Sequence, residues 1–334
     1  NRKGGFGQEG NLELGRVLGW LVGDGTIKAD QAVLSFFGEE KQTLAPMFAE
    51  YVDAIAQPLT SANAVRTYHV GVIDIPDRDE ARVQSQRLRT LVETYGLVEN
   101  KLQVPEIVFK GTEDMQRGFL QALFTADGSV QQTSSKATVI RLASSHLPLL
   151  EQVQMLLSNF GILSRIFRER RKAQYRLMPD GKGGSKEYWT QAQHEIHIAK
   201  TSILVFQKEI GFLMEYKNQS LVERLKDYQN GPRKEDFYAK VLSITSDGIE
   251  DVFDLTEPIT HSMICNSLVL HQCGEQPLSA FSVCNLGAIN LAKFYDEEAD
   301  DVAWDDLERT VSYATRFLDN VIDVTPYFFE ENRK

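Results

Sequence analysis

Residues 11–27 read NLELGRVLGWLVGDGTI. Leu14, Val17, Leu18, Leu21 and Val22 recur at helical spacing, which predicts an amphipathic helix. Gly15, Gly19 and Gly23 fall every fourth residue and leave a strip of that helix without side chains. A glycine inside a helix costs roughly 1 kcal/mol relative to alanine. A strip of three therefore predicts a second helix lying close against the first, a logic best documented in membranes. The helix is expected to end at Asp24-Gly25, where glycine permits a left-handed turn. The pattern returns at residues 116–130, QRGFLQALFTADGSV. Gly118, Ala122 and Ala126 repeat the strip, Asp127-Gly128 the ending, and Ser129-Val130 echo Thr26-Ile27. An internal repeat implies two similar subdomains. Facing strips would bring Asp24 and Asp127 together at one end of a helix pair. Two converging carboxylates suit Mg²⁺, and such a metal supports phosphodiester hydrolysis.

LGWLVGDG and LQALFTADG resemble the two signature helices of the LAGLIDADG homing endonucleases, in their single-chain, two-repeat form. The resemblance covers roughly residues 11–225. It implies an α+β fold, a pseudo-twofold pair of αββαββα units whose curved sheets sit on double-stranded DNA. It also implies that Asp24 and Asp127 bind the metals and that each acts at one strand. The segments between agree with it. Residues 31–38 and 64–75 read as strands and 41–56 as a helix; in the second repeat 137–144 reads as a strand, 146–160 as a helix and 194–199 as a strand. The expected repeats run from about 11 to 110 and 111 to 225, within an endonuclease domain of 11–230, after a glycine-rich lead-in at 1–10. Lys101, in ENKLQVPEIV, resembles the family's catalytic-pocket lysine; Lys217 in the second repeat is its rival. RIFRERRKAQYR places Arg165, Arg168, Arg170, Arg171, Lys172 and Arg176 within twelve residues, with Phe167 and Tyr175 interleaved. On a strand over DNA such a run meets phosphates. His194 and His197 are expected on opposite faces of one strand, in structural roles.

Beyond Lys226, NGPRKEDF reads as a linker. Residues 252–278 read VFDLTEPITHSMICNSLVLHQCGEQPL, with two short β-rich runs and His271, Gln272 and Cys273 in succession. A thiol beside an imidazole and a carboxamide can accept an acyl group on sulfur and then break a backbone bond. The stretch resembles the C-terminal splicing motifs of inteins, so 236–272 is expected to be part of an all-β Hint-type domain. By that resemblance Asp254 and His261 tune the junction. His271 assists cyclisation of Gln272, and Cys273 opens the downstream host and accepts the chain as a thioester. Inteins usually end in Asn; Gln272 closes a six-membered imide, which predicts slower cleavage. The sequence holds no Cys-initiated N-terminal half, so splicing is expected to need one, from a split gene or a longer chain. CGEQPLSAFSVCNLGAINLAKFYDE, from Cys273, resembles the active-site strand and loop of a ribonucleotide reductase large chain, most like the cobalamin-dependent class. It implies Cys273 at the thiyl-radical position, Glu275 as the active-site acid and Cys284 as one of a redox pair. Residues 273–334 are then a host fragment, inactive without the remainder of the reductase and its adenosylcobalamin. Residues 304–322 read as an amphipathic helix.

With 334 residues, 42% hydrophobic and 25% charged, the composition is that of a globular protein of two or three domains. No run of about 18 apolar residues occurs, so no membrane span is expected. Three cysteines make no disulfide framework, and a reducing cytoplasm is expected. The first residue is Asn1 rather than Met, as in a fragment or processed piece. The net charge of −11 is uneven: residues 273–334 hold 5 basic and 13 acidic residues, leaving 31 and 34 before them. The first part can thus carry basic faces that the total conceals. The leading reading is an intein-borne DNA endonuclease. Its competitor is a splicing element whose endonuclease domain binds DNA without cutting.

Overall fold

The computed structural model describes residues 5–56, 69–132, 137–179, 184–226, 232–233, 243, 245, 248, 262–265, 268–271 and 284–326. The chain divides into two compact units, Asn1–Ile244 and Thr245–Lys334. In the first unit, the first repeat runs α1 (Leu12–Asp24), β1 (Gly25–Ile27), β2 (Ala32–Phe37), α2 (Glu40–Ala56), β3 (Val72–Ile75), β4 (Glu80–Ser85) and α3 (Gln86–Thr94). A short α4 (Glu106–Phe109) leads to α5 (Glu113–Asp127), β5 (Gly128–Gln132), β6 (Thr138–Ser144), α6 (Leu147–Asn159) and β7 (Ser164–Arg171). Then come β8 (Gln174–Pro179), β9 (Ser185–Thr190), β10 (Gln193–Ile198), α7 (Ser202–Glu209) and α8 (Glu215–Lys226). The expected αββαββα order is present in the first repeat and, with β8 and β9 inserted between β7 and β10, in the second.

The two signature helices start alike. Asn11 caps α1 by accepting the Leu14 N–H at 2.9 Å, and Thr112 caps α5 by accepting the Met115 N–H at 3.2 Å. Their small-residue strips meet backbone to backbone. A Cβ on Gly15 would stand 2.1 Å from the Met115 carbonyl oxygen, one on Gly19 2.2 Å from that of Phe119, and one on Gly118 2.4 Å from that of Leu12. Side chains beside the strip, among them Leu18, Leu21, Phe119 and Leu123, are buried. The reading of Gly25 needs correction. Its φ is −95°, and that of Gly128 −85°, so neither takes a left-handed turn. Each helix passes straight into an extended strand. Glycine is required because a Cβ would lie 2.5 Å from Leu21 Cα, or 2.3 Å from the Phe124 carbonyl.

Each repeat closes a four-stranded antiparallel sheet, ordered β1-β2-β4-β3 and β5-β6-β10-β7. The registers correspond: Gly25 and Val83 flank Leu34 as Gly128 and Ile196 flank Leu142. Leu34, Phe36 and Val83, like Ile140, Leu142 and Ile196, turn one face of each sheet into the helix-covered core. Alternation sends their neighbours to the opposite, outward face. Two expectations change. The strand foreseen at 64–75 begins only at Val72, with 64–68 outside the described residues. The basic run is also not one strand: it spans β7 and β8, and β8 pairs with β9 in a separate hairpin. The first repeat has no such insertion, because a single 3₁₀ turn at Pro76–Arg78 joins β3 to β4.

In the second unit, β11 (Ser262–Cys265) pairs antiparallel with β12 (Leu268–His271), and β13 (Tyr295–Asp296) with β14 (Asp301–Val302). The expected final helix is α9, Trp304–Val324. Asp254, His261, Gln272, Cys273 and Glu275 lie outside the described residues, as does the strand expected at 252–256, and His271 is described as backbone alone. Cys284 is exposed. Among the described residues, no helix is long and apolar enough to cross a membrane.

Candidate active site

The helix strips end at the candidate site. Asp24 closes α1 and Asp127 closes α5. Beside them a Cβ on Gly23 would stand 2.8 Å from Ala126 Cβ and 3.4 Å from Asp127 Oδ2, so the small residue at position 23 is what lets the two acidic ends meet. Two lysines complete the arrangement symmetrically. Lys101 Nζ donates to the carbonyls of Gly23 (3.0 Å) and Gly25 (2.6 Å). Lys217 Nζ donates to the carbonyls of Thr125 and Gly128, the latter at 3.0 Å. Each ammonium therefore caps the negative end of its own repeat's signature helix. The sequence set Lys101 and Lys217 against each other as rivals; the fold uses both.

The electrostatics follow from crowding four charges in one place. Burial pulls the pKa of Lys101 and Lys217 down, against the pull of nearby carboxylates that favours the charged form. Burial raises Asp24, opposed by Lys101 and Lys217. Asp127 is pushed up to about 6, first by burial and second by the charge of Asp24. The Asp127 residue is nonetheless exposed to solvent and Asp24 is half-buried. Glu40 is a third acid here that sequence reading missed. It opens α2, its Oε2 accepts the Phe37 N–H at 3.2 Å, and burial followed by the field of Asp24 raises its pKa. The available signal was an acid directly after a β-run and a turn. In the second repeat the matching helix opens with Leu147-Pro148, so the acid is one-sided. Among the described residues no three His, Cys, Asp or Glu side chains form a ready metal cage. A pair of facing carboxylates still fits Mg²⁺, which takes one or two carboxylates and completes its shell from phosphate and water.

The basic run divides. Arg165 and Arg170 lie over the Phe167 ring, at 5.0 and 5.9 Å from its centroid, on the outward face of β7. Arg168 turns to the other side and pairs with Glu151 of α6 at 3.1 Å. A register shift opposite Gln193–Glu195 interrupts the alternation, and Glu169 there takes φ +48°. The Glu169 N–H donates to His194 Nδ1 at 3.0 Å, while His197 Nε2 lies 3.0 Å from Glu195 Oε2 on the opposite face. Arg171 reaches Gln193 (3.5 Å), Lys172 is exposed between β7 and β8, and Arg176 stands in the hairpin opposite Tyr188.

Known proteins resemble the chain in two parts. Residues 114–211 match the LAGLIDADG-like domain family, and residues 170–334 match the ribonucleotide reductase barrel-domain family. The matches overlap over 170–211, from the end of β7 through β8, β9, β10 and α7. The ribonucleoside-diphosphate reductase NrdEB subunit alpha of Bacillus subtilis is 29% identical over 326 residues, 89% of this chain, and the chain spans 30% of that relative's length. A DNA polymerase of Thermococcus hydrothermalis is 26% identical over 272 residues, 78% of this chain and 15% of the polymerase. A vitamin B12-dependent ribonucleoside-diphosphate reductase of Mycobacterium tuberculosis is 51% identical over 59 residues, 18% of this chain and 8% of the reductase. The chain thus carries a LAGLIDADG-like domain together with a stretch of ribonucleotide reductase barrel domain.

Proposed function

We propose that residues 11–230 are a site-specific, Mg²⁺-dependent endonuclease for double-stranded DNA, carried within an intein. In this reading the intein's C-terminal splicing motifs join a ribonucleotide reductase host at Gln272-Cys273. The observation that carries the nuclease is the meeting of two acidic helix ends, each with its own carbonyl-anchored lysine. Asp24 and Asp127 would hold the metal. Mg²⁺ held there would supply Lewis-acid stabilisation of phosphate charge and activation of water. Lys101 and Lys217 stand fixed beside that position, where their charge opposes the negative charge that builds on the phosphoryl oxygens. The pseudo-twofold axis gives one lysine to each strand.

Similarity to a reductase and to a DNA polymerase, proteins of unlike function, supports a mobile insertion that travels between hosts. The short, more identical match to a vitamin B12-dependent reductase supports a cobalamin-dependent host, whose activity needs its remaining domains and adenosylcobalamin. The splicing roles of Asp254, His261, His271, Gln272 and Cys273, and the reductase roles of Cys273, Glu275 and Cys284, rest on the sequence motifs. The deciding experiment incubates the chain and Mg²⁺ with DNA carrying an uninterrupted reductase coding sequence. A double-strand cut is expected; binding without a cut favours a decayed nuclease, and neither sinks the proposal.

A further inference from the structure

On the outward face of each sheet one glutamate is buried: Glu80 is 6% exposed and Glu195 is 2% exposed. A carboxylate out of water is costly unless its charge and lone pairs are matched. Both are matched chiefly by an arginine. Glu80 takes Arg82 through both oxygens, from Nε at 2.6 Å and Nη2 at 2.8 Å, and also accepts the Ser35 hydroxyl at 2.8 Å. Glu195 takes Arg141 Nη2 and His197 Nε2, while Arg141 Nη1 donates to Gln131. Arg141 Nε is buried without a partner among the described residues. The strand registers show that the two devices are not copies. Leu34 and Val83 correspond to Leu142 and Ile196, so Arg82 occupies the position of Glu195 and Arg141 that of Val33.

Resting on the endonuclease reading, we infer that Arg82 and Arg141 are specificity-determining residues, each reading a guanine in its own half of the DNA target. Glu80 and Glu195 are the positioning residues that fix them. A guanidinium held in one plane presents its remaining N–H donors as a rigid fork, the geometry that matches O6 and N7 of guanine in the major groove. Anchoring on a buried carboxylate removes most of the side-chain freedom that binding otherwise freezes out. Both arginines keep an accessible edge, 24% for Arg82 and 18% for Arg141. Because they occupy non-equivalent positions, the two guanines fall at unequal distances from the centre, so the target is not a palindrome.

The test is selection of bound sequences from a randomised DNA duplex pool by the full chain in metal-free buffer. The wild type is expected to fix one guanine in each half. Glu195→Gln should lower discrimination at one of them by roughly ten- to a hundredfold and leave the other intact, and Glu80→Gln should do the reverse. Arg141→Gln, which keeps a hydrogen-bond donor for Glu195, should shift that one position toward adenine and serves if Glu195→Gln fails to fold. Variants that weaken all positions evenly, or leave the profile unchanged, overturn the inference while the DNA-binding reading stands. A wild type that captures no duplex overturns both.

Discussion

Asp127 ionises late, at about 6, because neighbouring protein atoms desolvate its carboxyl and Asp24 repels its charge. The ionised form is the one that suits a cation, so cleavage of one strand should fall as pH drops through about 6. The stability consequence has the opposite sign. A carboxyl raised from its ordinary value of about 3.9 stabilises the fold fully below that value and loses the contribution as pH rises through 6. The metal-free protein should therefore melt higher at pH 5 than at pH 7.5, and Asp127→Asn should narrow that difference; calorimetry at the two pH values checks it. Asp24→Asn and Asp127→Asn should each turn a linear plasmid product into a nicked circle. If both variants still linearise the plasmid, the site lies elsewhere. Removing one fixed cation by Lys101→Met or Lys217→Met should slow cleavage by about 10²–10³, measured by single-turnover kinetics. The two aspartates were legible from repetition of a motif. Glu40 was not, because an acid after a β-run and a turn does not by itself show that it will face Asp24 and Lys217.

At the level of elements, the seam between α1 and α5 is the vulnerable part. Gly19→Ala should gain about 1 kcal/mol in helix propensity. Its methyl, however, would sit 2.2 Å from a backbone carbonyl that cannot yield without moving α5. Overpacking of this kind costs roughly 1–3 kcal/mol, so a net loss of stability in urea unfolding is expected. For the outer strand, replacing Arg165, Arg170 and Arg171 with Gln should lower the slope of log affinity against log salt by roughly 2–3, close to one per phosphate contact. Arg168→Gln should leave the slope unchanged, because that residue faces α6. The sequence read the whole basic run as one surface. Regular alternation already sends Arg168, like Ile166, toward α6; the irregularity at Glu169 then returns Arg170 to the outward face, which the residue types alone do not announce. The β8–β9 hairpin escaped for a related reason: exposed Tyr175, Leu177, Tyr188 and Trp189 leave it without a single buried face whose period could be read.

For the whole molecule, the proposal joins a DNA-cutting unit to a junction that leaves its host intact once excised. With an N-terminal half supplied, ligated host peptide should appear, and Gln272→Asn should speed C-terminal cleavage because a five-membered imide closes more readily. An unchanged rate would remove the ring-size argument. The sequence by itself determined the duplicated helix, since helical periodicity, small-residue strips and Asp-Gly endings are written into consecutive residues, while the αββαββα plan was what the family resemblance implied. Tertiary structure alone decided that Lys101 and Lys217 share one site, that Glu40 joins them, and that buried glutamates clamp Arg82 and Arg141. A local pattern fixes which face a residue occupies. Which residues meet across a helix seam or a strand ladder depends on register between segments up to a hundred positions apart, and that is settled only when the core closes.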